Sequence, residues 1–583
     1  MKVQGFMGEH SNVKFIEKSD LKLKKLDLIK MAERALKYLY TNPVADKDYQ
    51  CRFSFAPSEC PPFNPLIKVD GYVDAIMEGD TESRNDVAFR MMREMLNDYD
   101  TGKIPEEKVH ERLISYLTKE GYAKDVCRTH EYSNSTDNPD VFINLWASCM
   151  LLQSECMRYR QGKGDLELAK RIFEGMMSLA IRENGRAFYR YGGAMFNEEK
   201  ATEGYKGHYP MVFSGFCDYW LITKDQRCWE FMTELAEGFV LDLTPDHLHK
   251  GNGRIEGHNH VQMHAIRGFA QFAYLSGEVR YLSWVKAIYD YYREWAIDTG
   301  WIPEIRSLSE HSTHSETCLN GDMFETELWL ALAGYDELWD RIERDLRNYF
   351  NVMQFELTDD LLSWFKNIHS DKTEAQINES ISILKDLEGG FISAMTPNDY
   401  VFEVESGKTH FGMVEHGGKN IVFDMMGCCP PEGMRSIYYA WKYAQQSDEN
   451  NVTVYLPIDS ESDTAKVESN LPNEAKITVT MKKSASLKLR VPAWIKRDSV
   501  KLSVNGNKTE FYFGGTANNY VCVDSLNVGD TVILEYGLVD FYQKVTVKYF
   551  ELEPKDYTYH WIGNCVASVE PKGEYLPVYE FNK

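Results

Sequence analysis

A chain of 583 residues with 89 acidic and 65 basic side chains carries a formal charge of -24. That charge repels phosphate backbones and anionic lipid, so nucleic acid and membrane are excluded as expected partners. The length exceeds what one hydrophobic core can organise, and two or three domains are predicted.

The N-terminal MKVQGFMGEHSNVKF lacks an apolar run of signal-peptide length, and the chain has no uninterrupted apolar stretch of roughly 18 residues. A cytoplasmic protein is expected. From about residue 20 to 445 apolar residues recur at helical spacing. In LIKMAERALKYLY, residues Leu28, Ala32, Leu36 and Leu39 form one stripe. Comparable stripes run over 83–96, 107–117, 141–160, 165–182, 210–222, 226–240, 262–276, 279–294, 319–333, 336–350 and 433–445. About a dozen helices joined by loops of mixed length suit antiparallel pairs closing into a toroid.

Beyond QQSDENN, residues 445–451, the apolar period drops to two. Ile477, Val479 and Met481 alternate with polar residues, as do Leu487, Leu489 and Val491, and Val500, Leu502 and Val504 run into the hairpin signal NGN. This predicts a β-sandwich. The expected division is a helical domain over 1–445 and a β domain over 446–583.

The twelve cysteines are scattered rather than spaced as a disulfide framework, which suits reduced thiols in a large protein. One stretch stands apart. DMMGCCPPEGMR, residues 424–435, sets Cys428 beside Cys429, a pair that a trans dipeptide does not readily bridge. HSTHSETCLNGDM adds Glu316 and Cys318 at the mouth of a predicted helix. One carboxylate and three thiolates can together make a tetrahedral zinc shell. On spacing alone the commoner reading is two packed thiols, with Glu316 as a charge favoured by a helix N-terminus.

In order along the chain, GHYPMVFSGFCDYW (207–220), MHAIRG (263–268), ETC (316–318), WDRIERDLRNYF (339–350), CCPPEGMR (428–435) and LKLRVPAW (487–494) before VNG resemble glycoside hydrolase family 127 over about residues 130–510. The resemblance implies β-L-arabinofuranosidase-like chemistry on an (α/α)6 barrel followed by a β-sandwich. It implies Cys428 as nucleophile and Glu316, Cys318, Cys428 and Cys429 as zinc ligands. The acid/base glutamate falls within TGWIPEIRSLSEHSTHSETC, where Glu304 is the first candidate and Glu310 the second. His208 and His264 match residues that line the sugar pocket, and Glu343 is a further candidate sugar contact whose alternative is an ion pair with Arg347. Trp301, Tyr205 and Tyr209 are candidates for stacking on a sugar ring.

Two positions depart from the family pattern. Met150 stands where a substrate histidine is expected, and Glu432 replaces the usual Asn. The expected function is a retaining exo-glycosidase acting on an oligosaccharide, with a homodimer as one admissible assembly. The alternatives are a carboxylate-dependent enzyme of the same toroid shape, such as an unsaturated-uronyl hydrolase or an epimerase, and a zinc-structured sugar-binding protein.

Overall fold

The computed structural model describes residues 13–45, 48–52, 54–59, 80–98, 104–126, 141–189, 195–197, 211–242, 257–306, 313–404, 412–547 and 553–580. Its helices are α1 (Leu28–Thr41), α2 (Asp80–Leu96), α3 (Ile104–Ser115), α4 (Leu145–Arg160), α5 (Leu166–Ser178), α6 (Phe213–Thr223) and α7 (Gln226–Asp242). They continue as α8 (Asn259–Ser276), α9 (Val279–Arg293), α10 (Thr317–Leu332), α11 (Leu338–Asp345), α12 (Asp359–Ile368), α13 (Glu374–Asp386) and α14 (Cys429–Lys442).

Local sequence explains many helix ends. Asp27 caps α1 by accepting from the Lys30 N–H, and Thr373 with Gln376 forms a capping box on α13. Pro430 and Pro431 occupy the first turn of α14, where a missing N–H costs nothing.

Helices α2, α4, α6, α8, α10 and α14 pack in that order, and α14 closes on α2. Outside this ring α1, α3, α5, α7, α9 and α11 lie against their sequence neighbours. The inner position has a sequence consequence. Every residue of α10 from Thr317 to Ala331 is buried, including Asp322, Glu325 and Glu327, because this helix has neighbours on all sides.

After α14 the chain is strand-rich. One five-stranded sheet has the order Gln445–Ser447, Asn451–Val454, Ala485–Arg490, Tyr520–Leu526, Tyr512–Gly514. A six-stranded sheet has the order Ser460–Glu461, Ala465–Ser469, Lys476–Met481, Thr531–Glu535, Lys501–Val504, Asn507–Lys508. Lys476–Met481 buries alternate residues Ile477, Val479 and Met481, as its period predicts. The NGN hairpin turns through Asn505 at φ 53° and Gly506 at φ 79°, joining Val504 to its partner Asn507.

Four features differ from the sequence expectation. Val141–Asn144 is a strand that precedes α4 rather than its first turn. The stripe over 336–350 divides into α11 and a π-helical turn, Leu346–Phe350. Helices α12 and α13 are absent from that expectation, although Leu361, Phe365 and Ile368 form a buried stripe at helical spacing on α12. Finally, Lys14–Ile16 joins the edge of a third sheet built from Leu538–Val547, Lys555–Ile562 and Cys565–Glu570. Strand pairing across such a sequence separation leaves no local signal.

The helices and sheets meet through polar contacts. Arg490 bonds Asp340 and Glu343 of α11, Asn348 donates to the Asn564 carbonyl at 2.8 Å, and Trp339 stacks on Tyr455 at 4.4 Å. Among the described residues no helix is long and apolar enough to cross a membrane.

Candidate metal centre

Two helix beginnings meet at one point. Glu316 immediately precedes α10 and Cys318 lies in its first turn, while Cys428 immediately precedes α14 and Cys429 opens it. Because α10 and α14 are neighbours in the ring, residues more than a hundred positions apart converge.

The segment around Ser393 holds both ends in place. Ser315 and Thr317 donate backbone N–H groups to the carbonyls of Met395 and Ser393 at 2.9 and 2.8 Å, and Ser393 donates to the Asp424 carbonyl at 3.1 Å. The Ser393 hydroxyl accepts from the Met426 N–H. Gly433 lets α14 press on this segment: a Cβ there would lie 2.3 Å from the Phe391 ring.

The ligand atoms of Glu316, Cys318, Cys428 and Cys429 all lie within 4.8 Å of one another. The Cys318 and Cys429 sulfurs are 3.3 Å apart, Cys428 and Cys429 are 3.8 Å apart, and the Cys429 sulfur is 4.0 Å from Glu316 Oε1. Tetrahedral zinc with thiolate bonds of about 2.3 Å requires sulfur separations of about 3.8 Å. The donor set fits zinc; the Cys428–Cys429 separation matches this value, and the Cys318–Cys429 separation is shorter.

The three thiols are not equivalent. Hydrogen bonds from Cys318 and Cys429 hold the Cys428 thiol well below the ordinary cysteine range, against its burial, and Arg84 and His260 add positive potential. Burial pushes the Cys318 and Cys429 thiols up. Cys428 is 6% exposed, whereas the other two are fully enclosed. It is therefore the sulfur best placed to carry a charge and meet an incoming molecule.

A second polar group lines the inner helices. His260 Nδ1 lies 2.5 Å from Asp322, His260 Nε2 lies 3.1 Å from Arg84, and Arg267 contacts Asp322 at 3.0 Å. Trp146 carries the Arg84 guanidinium over its ring at 4.1 Å and packs on His264 at 4.2 Å. Although His260, His264 and Asp322 cluster closely enough for a metal, two guanidinium groups contact these donors and oppose a cation. This is a hydrogen-bonded wall.

Glu432 is its negative centre. Burial opposes ionisation of Glu432, but Arg267 and Arg84 outweigh it and hold the carboxyl at about 2. Arg435, one turn on, pairs with Glu325 at 2.6 Å and Gln153 at 2.6 Å. The departure from Asn at position 432 thus comes with two arginines that compensate it. Burial, followed by Arg267, drives His264 well below the usual histidine range, so it is neutral.

The remaining expected residues divide. Glu304 sits beside a two-strand ladder, Gly257–His258 with Ile305–Arg306, and its carbonyl accepts from the Asn259 N–H at the start of α8. Its side chain is partly exposed, with Oε2 2.7 Å from His314 Nε2. Glu310, His208, Tyr205 and Tyr209 lie outside the described residues.

Trp301 corrects an expectation: it is buried, its indole N–H donating to the Met395 carbonyl at 2.9 Å, so it braces the metal-site segment rather than offering a face to sugar. Glu343 is likewise placed elsewhere. One oxygen takes Arg347 at 2.9 Å and the other Arg490, in the contact with the sheets. The Arg347 pair expected from the spacing is present, but buried rather than on a helix surface. Met150 is buried in α4.

Sequence reasoning missed Arg84, His260, Arg267 and Asp322. The available signal was the recurrence of charged residues on segments with apolar content on every face, together with His260 and His264 four residues apart.

A family model described as "Beta-L-arabinofuranosidase, GH127 middle domain" matches residues 452–538. No curated protein matches the chain. Among solved structures, a GH127 β-L-arabinofuranosidase from Geobacillus stearothermophilus T6 is similar at 14% identity, over 94% of this chain and 86% of that one, with a TM-score of 0.56. A structure titled "Glycoside hydrolase" is similar at 12% identity, over 96% and 84%, with a TM-score of 0.53. The structural likenesses show a shared fold. With the family model they bear out the resemblance to glycoside hydrolase family 127, and the reading of the chain as a β-L-arabinofuranosidase-like glycoside hydrolase.

Proposed function

We propose that this β-L-arabinofuranosidase-like chain is a retaining exo-glycosidase that removes a terminal β-L-arabinofuranosyl residue from an oligosaccharide. Cys428 would be the nucleophile and Glu304 the acid/base. The observation that carries the reading is the convergence of Glu316, Cys318, Cys428 and Cys429 at two helix N-termini, with Cys428 the most accessible sulfur and the one whose thiolate is favoured.

These residues would hold zinc. When bound, it would lower the thiol pKa further and orient the sulfur. The Cys428 sulfur attacks the anomeric carbon, forming a C–S bond as the glycosidic C–O bond breaks. Glu304, protonated, gives its proton to the departing oxygen. In the second half, the Glu304 carboxylate takes a proton from water as the water oxygen displaces sulfur, and the thiolate is restored. Two displacements at one carbon retain configuration. His314, hydrogen-bonded to Glu304, fixes the carboxyl orientation. His264 and His260, on the helix that starts beside Glu304, and Asp322, on α10, would take sugar hydroxyls, with His208 a further contact.

The closed ring and the five- and six-stranded sheets after it support the reading of an (α/α)6 barrel over 1–445 followed by a β-sandwich domain over 446–583. A cytoplasmic location would make imported oligosaccharide fragments the natural substrates. The test is a panel of p-nitrophenyl glycosides on zinc-replete, reduced enzyme, with Cys428→Ser as control. Hydrolysis of the β-L-arabinofuranoside that disappears in the variant supports the reading. Activity that survives Cys428→Ser overturns the nucleophile assignment, and preference for another sugar overturns the specificity.

A further inference from the structure

Glu304 stands in a partly open place for a group that must be held closely. It and His314 close a short antiparallel contact: the Glu304 N–H donates to the His314 carbonyl at 3.0 Å, and Pro303 pairs with Ser315 beside them. The side chains meet again, with His314 Nε2 2.7 Å from Glu304 Oε2, and remain 12% and 21% exposed. One hydrogen bond of this kind leaves the imidazole free to turn about its side-chain torsions, and the carboxyl turns with it. A retaining glycosidase needs its acid/base and nucleophile at a set separation across the bond that breaks.

Phe402 stops that rotation. The His314 ring lies on the Phe402 ring with centroids 3.9 Å apart and planes 20° from parallel. Phe402 is 3% exposed, and with Ala394 and Val422 it forms a small apolar cluster apart from the main core. Its backbone is fixed as well: Phe402–Glu403 is an edge strand of a three-stranded sheet, where Phe402 pairs with Val422 of Lys419–Val422. A buried ring on a paired strand is a rigid face for the imidazole.

The same small cluster reaches the nucleophile. Ala394 follows Ser393, whose N–H donates to the Asp424 carbonyl at 3.1 Å and whose own carbonyl takes the Thr317 N–H at 2.8 Å. Val422 lies on the segment that runs through Asp424 to Cys428. Phe402 thus stands between the two halves of the proposed catalytic pair, stacked on the partner of Glu304 and packed against the segments that hold Cys428 and the first turn of α10.

We propose that Phe402 is a positioning residue of this site: through its stack on His314 it fixes the Glu304 carboxyl relative to Cys428. The proposal rests on the retaining reading with Glu304 as acid/base. Kinetics on zinc-replete, reduced enzyme would use aryl β-L-arabinofuranosides of graded phenol acidity and a β-L-arabinofuranosyl-terminated oligosaccharide.

Phe402→Leu keeps an apolar side chain in the cluster but no flat face. Its kcat/KM should fall about tenfold further on the oligosaccharide than on the p-nitrophenyl glycoside, and the loss should grow as the phenol becomes less acidic, because a displaced acid fails most where the proton is needed. Phe402→Tyr keeps the ring and should recover the oligosaccharide rate to within about twofold of the unaltered enzyme. Zinc content should be unaltered in both. A uniform loss on every substrate, a loss of zinc, or an equal loss in Phe402→Tyr would show packing in place of positioning and overturn the proposal. Should Phe402→Leu not fold, His314→Gln retains a donor toward Glu304 without a ring to stack; the same leaving-group dependence is expected, and its absence overturns the proposal. Glu304→Gln separates the proposal from the reading beneath it. Strong leaving-group dependence there with none in Phe402→Leu overturns the positioning alone, whereas none in Glu304→Gln overturns the acid and the positioning with it.

Discussion

Two buried polar groups in this protein invite comparison: the cluster of Glu316, Cys318, Cys428 and Cys429, and the cluster of Arg490, Asp340, Glu343 and Arg347 at the contact with the sheets. In the second, every charge faces an opposite one and the backbone N–H of Ala493 completes Asp340 at 2.7 Å. Such a group is complete as it stands and serves the fold. In the first, three thiols and a carboxylate converge within 4.8 Å, and two of the thiols are driven toward protonation by burial. Thiols and a carboxylate gathered at two helix N-termini are a donor set that suits zinc. The first cluster is set apart by its donor chemistry, the second by the mutual pairing of its charges.

That contrast can be broken most forcefully at the adjacent cysteines. Cys428→Ser should reduce turnover by about 10⁴-fold or more while retaining much of the zinc, because three ligands remain. Cys429→Ser should lose zinc first and activity in consequence. Elemental analysis beside kinetics checks this, and equal zinc loss in both variants would remove the distinction between nucleophile and ligand.

At the balanced cluster, Arg490→Ala leaves Glu343 with Arg347 alone and Asp340 with the Ala493 N–H, and should destabilise the fold by about 3–5 kcal/mol. The zinc content of the folded fraction should be unchanged. Denaturant titration with metal analysis tests both halves of the statement.

Glu304→Gln should slow hydrolysis of an oligosaccharide by about 10²–10³-fold and affect an activated aryl glycoside much less, since only the poor leaving group needs the proton. An unaltered oligosaccharide rate would move the acid to another residue.

The smallest effect concerns a second balanced group. Burial opposes the charge on His110, but Asp86 and Glu155 outweigh it and raise the imidazole to about 9. The raised value means that stability is fully present below the ordinary histidine pKa and is lost as pH rises through about 9. Thermal melts between these limits should decline, and the decline should flatten in His110→Asn.

Much of this organisation was legible in the chain. The period of 3.6 is clearest on outer helices such as Leu28–Thr41 and the period of 2 on strands such as Lys476–Met481, because both patterns arise from one face of an element meeting the core. The ordered motifs brought Glu316, Cys318, Cys428 and Cys429 to attention, and spacing suggested the Glu343–Arg347 pair, because neighbours along a helix need no tertiary information.

Tertiary structure alone decided what those residues face. It put Glu343 against Arg490 from a distant strand, buried Trp301 behind the metal-site segment, and gave Glu432 its two arginines. It also carried Lys14–Ile16 to a sheet more than 500 positions away. Local sequence specifies which face of an element is apolar. Which charge meets which across the core depends on how the ring closes, and loop closure joins positions whose separation no local pattern records.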